Sequence, residues 1–417
     1  MAFEVETKLR LKDFGGTERV VSPQETFHRL REVSHLVGVS RLANITGLDQ
    51  VGVPTWMAIR PLSRSLTVSQ GKGISHDAAK VSAIMEATEL FHAENLVPVG
   101  KRVSVAEAAK QENFVDLSLL PIRPSADLSP DRTFSWIPGR CLLKDETYWI
   151  PRQIIDLNFV DRRESEYLFA SSSNGLASGN SAVEAAIHAI CEVIERDCSA
   201  FSQIKQHLAP YLPNKRVMTS TIKDPICQEL LHTIEKSGLT CALWDISDEI
   251  GIPCFSCVVH DNDNRTMYAS KAAGAGCHPR KRIALLRAIT EALQSRLTFV
   301  AGARDDIYWN TYTHSIPIDA PNNRAWKEAQ QYEAMSVDFE SIADFGSGTM
   351  DAETIVNELL EALDVHGFGN VILTQLTCVQ IGVPVVHVFI PGMEPHLRGE
   401  DYCPGPRMMK LLEDLLS

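Results

Sequence analysis

Two polar groups three residues apart recur on separate apolar segments of this chain. Glu192 and Glu195 lie within "AIHAICEVIERD" (186–197), Glu86 and Glu89 within "AIMEATEL", and Glu291 with Gln294 within "AITEALQSR". Like charges at helical spacing repel, and a carboxylate removed from water without a partner is costly. Something positive must answer them. Arg196, Arg287, Arg296 and Lys80 could do so through ion pairs alone. A divalent cation is the other answer, since Mg2+ takes oxygen ligands and commonly bridges carboxylates to a phosphate chain. Repetition on three apolar helices, each after a Gly-containing turn, favours metal-bound nucleotide.

The spacing places these groups on one helix face. At 100° per residue, Glu184, His188, Glu192 and Glu195 fall within about 80° of arc. The residues around them (Val183, Ala185, Ala186, Ile187, Ala189, Ile190, Val193, Ile194) are apolar, as on a buried helix. The stripe must therefore face a polar cavity. Three small-residue stretches precede the helices. "SQGKGIS" sets Lys72 between glycines, "SNGLASGNS" offers Asn174, Ser178 and Asn180, and "AGAGCHPR" brings Gly274, Gly276 and Arg280. They read as loops at helix N-termini, where main-chain N–H groups attract anions. None is a Walker A or dinucleotide motif. His188 reads as a structural hydrogen-bonder ahead of a proton-transfer group.

The elements that must carry these residues alternate strand and helix, which gives an α/β (α+β) fold. Helical patterns cover about 76–95, 180–204, 280–300 and 352–366. Strand-like runs are "SLTVSQ", "YLFASS", "CALWDI", "PCFSCVVH", "NVILTQL" and "VPVVHVFIP". The stretches 118–139 and 304–350 read as surface excursions. Glu86, Glu192 and Glu291 stand 106 and then 99 residues apart (192 − 86; 291 − 192), so a strand–Gly-loop–helix unit recurs about every hundred residues. Three quasi-repeated lobes around one centre would bring the helices together.

Composition sets the boundaries. The 417 residues are 44% hydrophobic and 22% charged, with net charge −13 and no block of Lys or Arg. This argues against a nucleic-acid surface. No apolar run of about 20 residues suggests a membrane span, and "MAFEVETKLRLKDFGG" lacks a signal-peptide core. A cytoplasmic protein is expected. The ten cysteines read as reduced and buried, including Cys254 and Cys257, whose C-x-x-C lacks a second ligand pair for a metal.

At these blocks the chain resembles the YcaO family, ATP-dependent enzymes that modify peptide backbones. "SxGKGxxxxxAxxSAxxEAxE", "SNGLAxGNxxxEAxxHAxCEVIERD" and "GAGxxxxxxxALxRAxxEAxQSR" look like its signature blocks, and "FIPGMEPHLRGEDYCPGPR" like its closing block. The resemblance implies ATP and Mg2+ as cofactors. It implies metal ligation by Glu86, Glu89, Glu184, Glu192, Glu195 and Glu291, and nucleotide binding by Arg19, Thr26, Lys72, Asn180, Glu184, Arg287 and Gln294. Glu192, Glu195, Arg196 and Arg296 are the implied catalytic set. Residues 1–60 would contribute to the nucleotide site of a catalytic domain spanning 61–417. Leu90 follows Glu89 where many relatives carry Arg, so one phosphate contact is lost or supplied elsewhere.

Family members activate an amide by phosphorylating its oxygen, which then leaves when a nucleophile attacks. Such chemistry needs clamped phosphates and cations more than a nucleophilic side chain. The resemblance around "RLANITGLDQVGVPTWMAIRPLSRSLTVSQGKG" is closest to the branch that travels with a TfuA partner protein. It implies backbone thioamidation of a precursor peptide with a sulfide donor. An azoline-forming cyclodehydratase is the alternative, although the chain ends "MMKLLEDLLS", without the proline-alternating tail common there. A further alternative is a non-catalytic accessory factor for ribosomal-protein methylthiolation. Homodimerisation is a general expectation rather than a reading of these residues.

Overall fold

The computed structural model describes residues 9–96, 100–160, 168–208, 215–261, 271–307, 312, 336–395 and 402–416. Helix α1 (Pro23–Val33) opens with Ser22 capping the Glu25 N–H and Pro23 in its first turn. Strands β1 (Arg41–Asn44), β2 (Thr55–Ile59) and β3 (Val68–Lys72) form an antiparallel sheet with β3 at its edge. The chain passes from β3 directly into α2 (His76–Glu94), capped by Ser75.

Strands β4 (Lys101–Ser104), β5 (Thr133–Cys141), β6 (Glu146–Pro151) and β7 (Leu176–Ser178) begin a second sheet. From its edge strand β7 the chain enters α3 (Ala182–Leu208). Strand β8 (Lys215–Met218), helix α4 (Pro225–Lys236), and strands β9 (Leu239–Asp245), β10 (Cys254–Asp261) and β11 (Lys271–Cys277) build a third sheet. Its edge strand β11 leads into α5 (Lys281–Ala301). Strand β12 (Ser336–Asp338) pairs parallel with β8. After α6 (Ala352–Val365), strands β13 (Ile372–Gln375) and β14 (Val385–Phe389) complete the second sheet in the order β4-β5-β13-β14-β7, before α7 (Pro406–Leu416).

Three times, then, an edge strand runs into a long helix that packs back on it. The four anticipated helices are α2, α3, α5 and α6. The small-residue stretches behave differently from expectation. Gly71 lies in β3, and Gly274 and Gly276 in β11, rather than in phosphate-cradling loops. A Cβ on Gly71 would stand 2.1 Å from the Ala79 carbonyl and the Ala83 nitrogen; one on Gly276 would stand 2.2 Å from the Ala284 carbonyl. Glycine is therefore needed for close helix-on-strand approach in two of the three units, seating α2 against β3 and α5 against β11.

Two further expectations change. The stretch 118–139 is not a surface excursion throughout, because β5 begins at Thr133 and Trp136 and Ile137 are fully buried. Pro138 is tolerated because it falls between the part of β5 paired with β4 and the part paired with β13. "YLFASS" forms only an isolated bridge between Phe169 and Ile122. Much of 304–350, and residues 267–270 and 396–401 of the repeated and closing blocks, lie outside the described residues. Cys254 and Cys257 are buried on opposite faces of β10, in different core clusters, so they cannot chelate one ion. No helix among the described residues is long and apolar enough to cross a membrane.

The glycine contacts predict a stability effect. Gly276→Ala should destabilise the protein by about 1–3 kcal/mol through overpacking. Ala273→Ser, at an exposed position of the same strand, should leave the denaturation midpoint unchanged.

Candidate active site

Helix α3 shows why a greasy helix carries carboxylates. From Val183 to Ala200 every residue is buried except His188, Glu192 and Arg196, one line at i, i+4, i+8. That line faces a cavity of about 530 Å³, within the range of small-molecule sites. Helix α2 lines it first with Ala78, Val81 and Met85 and then with Glu86 and Glu89; α5 lines it with Ile283 and Leu286 and then with Arg287, Glu291 and Gln294. Helices α2 and α5 thus place apolar groups before their acids, with Leu90 an apolar exception after Glu89, giving the cavity an apolar end and a charged end, while α3 lines it with polar groups throughout. The N-terminal segment adds Phe14, Gly16, Thr17, Arg19 and Thr26.

The second polar residue of each pair ties down the next lobe. Glu89 on α2 accepts hydrogen bonds from the Ser178 N–H (2.7 Å) and hydroxyl (2.7 Å) at the edge of β7. Glu195 on α3 accepts one from the Cys277 N–H (3.0 Å) at the edge of β11. Gln294 on α5 donates to the Gln70 carbonyl (2.9 Å) at the edge of β3, while Glu86 accepts from the Gln70 N–H (2.8 Å). The three edge strands are closed in a ring, α2 to β7, α3 to β11 and α5 to β3. An amide rather than an acid stands at 294 because its partner there is an acceptor.

Other expected residues gather at the same cavity. Glu184 accepts from the Val20 N–H (2.8 Å) and from Asn180 (3.1 and 3.2 Å), and pairs with Arg19 at 3.5 Å. Thr26 donates to Asn180 Oδ1 at 3.0 Å. Glu184, two turns from Glu192, is thus engaged with the N-terminal segment. Lys72 forms an ion pair with Glu291.

One expected residue is elsewhere. Arg296 does not line the cavity; it is buried between Asp49 and Asp261, each at 3.5 Å. At 100° per residue it lies about 200° around α5 from Gln294, on the opposite side. Its placement as a catalytic phosphate contact is corrected to a structural ion pair. Lys80 is likewise away from the acids, paired with Asp77 at 3.1 Å and set over Phe27 and Trp56. Two residues were missed. His278 and Arg304 line the cavity; Arg304 belongs to a stretch read as surface, and its signal was an arginine just past the Gly302 helix cap.

The acids are only partly neutralised. Burial pushes the Glu86 carboxyl up to about 7, against the attraction of Arg304, the Gln70 N–H and Lys72. Burial, with repulsion from Glu192 and Glu86, pushes Glu89 up to about 8. Glu192 and Glu195 are also raised by burial. Although burial opposes it, Lys72 and Arg196 hold Glu291 low. His188 and His278 are held well below the usual histidine range by burial and by Arg287 and Arg19, so both are neutral near pH 7. Arg287 donates to His188 Nδ1 at 3.4 Å, while its buried Nε has no hydrogen-bond partner among the described residues. Under-neutralised carboxylates beside an orphaned guanidinium donor suit a cation bound with a polyanion.

A pH dependence follows. Metal ligation requires deprotonated carboxylates, so Mg2+–nucleotide affinity should strengthen as pH rises from 6 through the values of about 7 and 8 for Glu86 and Glu89, then level off. The free protein should move oppositely. Its raised carboxyl values contribute stability at low pH that is lost as pH climbs through that window. Melting temperature measured from pH 6 to 8.5 should fall without ligand and hold steady with saturating Mg2+–nucleotide.

Comparison with known proteins gives the family and the fold. The family model "YcaO cyclodehydratase, ATP- and Mg2+-binding" matches residues 70–394. An uncharacterized protein in the tfuA 3' region of Rhizobium leguminosarum bv. trifolii is 30% identical over 399 residues, 92% of this chain and 90% of that one. YcaO from Methanopyrus kandleri, solved with AMPPCP and Mg2+, has the same fold at a TM-score of 0.72 and 22% identity, covering 93% of this chain and 95% of that one. A heterocyclase solved with substrate and cofactor matches at a TM-score of 0.74 and 20% identity, over 94% of this chain and 55% of that one. With its three acid-bearing helices gathered on one cavity, the chain belongs to the YcaO family of ATP- and Mg2+-binding proteins.

Proposed function

We propose that this protein uses ATP to activate a backbone amide of a ribosomally made peptide, and that a sulfide donor then replaces the amide oxygen to give a thioamide. The observation that carries the ATP-dependent part is the single cavity where Glu86, Glu89, Glu192, Glu195 and Glu291 meet Lys72, Arg196 and Arg287. Bound Mg2+ would supply charge neutralisation and geometry for the phosphates. Glu86, Glu89, Glu192 and Glu195 are its proposed holders, with Glu291 freed from Lys72 as a fifth. Lys72, Arg196 and Arg287 would face the phosphates. Arg19, Thr26, Asn180 and Glu184, already linked to one another, would form the nucleotide-side set, which supports reading residues 1–60 and 61–417 as one functional unit. Neutral His188 and His278 already accept at Nδ1, from Arg287 and from the Arg280 N–H, so both are read as structural hydrogen-bonders and not as proton acceptors.

In the overall reaction the amide C=O bond is replaced by C=S. The oxygen departs on the transferred phosphoryl group, so hydrosulfide and ATP give thioamide, ADP and phosphate with atoms and charge balanced. The similarity to the protein of the tfuA 3' region supports sulfur as nucleophile and a TfuA-like partner. The family description "cyclodehydratase" supports the second reading, attack by a substrate Cys, Ser or Thr side chain to form an azoline.

The test has two arms. Glu192→Ala should abolish the thermal stabilisation given by Mg2+–ATP, which at 100 times Kd amounts to about 2.7 kcal/mol; an undiminished shift would overturn the site. Intact-mass analysis of a precursor peptide incubated with ATP, sulfide and the TfuA-like partner should show a gain of about 16 Da for oxygen-to-sulfur exchange, whereas a loss of about 18 Da would establish cyclodehydration.

A further inference from the structure

Helices α3 and α5 each bring an arginine to the charged end of the cavity, Arg196 and Arg287, but α2 brings none. The internal repeat makes the gap visible. Glu192, Glu195 and Arg196 on α3 correspond to Glu86, Glu89 and Leu90 on α2, and Leu90 also faces the cavity. Positive charge reaches the α2 side from another element. Helix α5 stops at Gly302 in the left-handed conformation (φ 57°), and the turn that follows carries Arg304 into the cavity.

That turn is held firmly. Asp305 accepts from the Thr67 N–H (2.7 Å) and hydroxyl (2.8 Å), fastening it to the chain just before β3, whose Gln70 N–H binds Glu86. Asp306 grips the Arg304 guanidinium in a fork, through Nε at 2.9 Å and Nη2 at 2.5 Å. The fork fixes the plane of the guanidinium, and no described residue accepts from Nη1. Arg304 makes no hydrogen bond to Glu86, although its charge is felt there. A pre-oriented guanidinium with a free edge beside a cluster of acids is suited to a bidentate anion such as a phosphate.

We infer that Arg304 is a triphosphate-binding residue, supplying from beyond α5 the cation that position 90 of α2 lacks. This rests on the ATP-binding reading above. The structural alternative is that Arg304 merely completes the Thr67 turn.

Calorimetric titration with Mg2+–AMPPCP and with AMP separates these roles. Arg304→Gln should weaken Mg2+–AMPPCP at least about tenfold, as expected for loss of a charge-assisted phosphate contact, and leave AMP within about twofold. Leu90→Arg placed in the Arg304→Gln background should recover most of the lost AMPPCP affinity, and Arg304→Lys should fall between. Unchanged AMPPCP affinity in Arg304→Gln, equal losses for AMPPCP and AMP, or no recovery with Leu90→Arg would each overturn the inference. If Arg304→Gln fails to fold, Asp306→Asn serves instead; it releases the guanidinium and should weaken AMPPCP but not AMP, and equal binding of AMPPCP would overturn the inference. Failure of the unmutated protein to bind Mg2+–AMPPCP would instead remove the ATP-binding reading itself.

Discussion

The structure depends on a hydrogen bond between a carboxylate of one lobe and the edge amide of the next. Strands β3, β7 and β11 each end a sheet, so each presents main-chain groups with no strand partner near the centre of the molecule. A buried main-chain N–H without an acceptor is costly, and a sheet edge must be covered somehow. Glu89 and Glu195 cover two of these edges, and Gln294 with Glu86 covers the third. The same side chains that lock the lobes together are therefore fixed around the cavity. Architecture and site share their residues.

This sharing carries an electrostatic cost. Several carboxylates are drawn out of water and toward one another, and the cations nearest to them are partly committed, Lys72 to Glu291 and Arg304 to Asp306. The raised carboxyl values of Glu86, Glu89 and Glu195 express that tension in the free protein. A bound cation relieves it, so stability in the free state is exchanged for affinity, as is common where a fold is shaped for its ligand. The pairing of Arg296 with Asp49 and Asp261 shows the contrasting case, a charge neutralised within the core and kept from the cavity.

Much of this was legible in the sequence, for identifiable reasons. Charged residues at helical spacing inside apolar stretches leave few arrangements, so α2, α3 and α5 and the meeting of Glu86, Glu192 and Glu291 could be anticipated. Adjacency in a motif was less dependable. Arg296 is two residues from Gln294 yet on the far side of α5, because a helix turns about 200° between them. The glycines were misread as anion loops because close packing and phosphate binding both call for a missing Cβ. Main-chain donors such as the Ser178 and Cys277 N–H groups leave no sequence signature, so the ring of ties could not be seen. Arg304 was hidden because it follows the end of α5, where periodicity stops giving information.

The central claim is that these acids jointly hold a divalent cation only together with a polyphosphate. Electron paramagnetic resonance with Mn2+ in place of Mg2+ addresses it directly. The account predicts protein-bound Mn2+ with hyperfine coupling to 31P when AMPPCP is present, and loss of that bound signal in Glu192→Ala. Mn2+ that binds with the same spectrum without nucleotide, or shows no coupling to phosphorus, would contradict it.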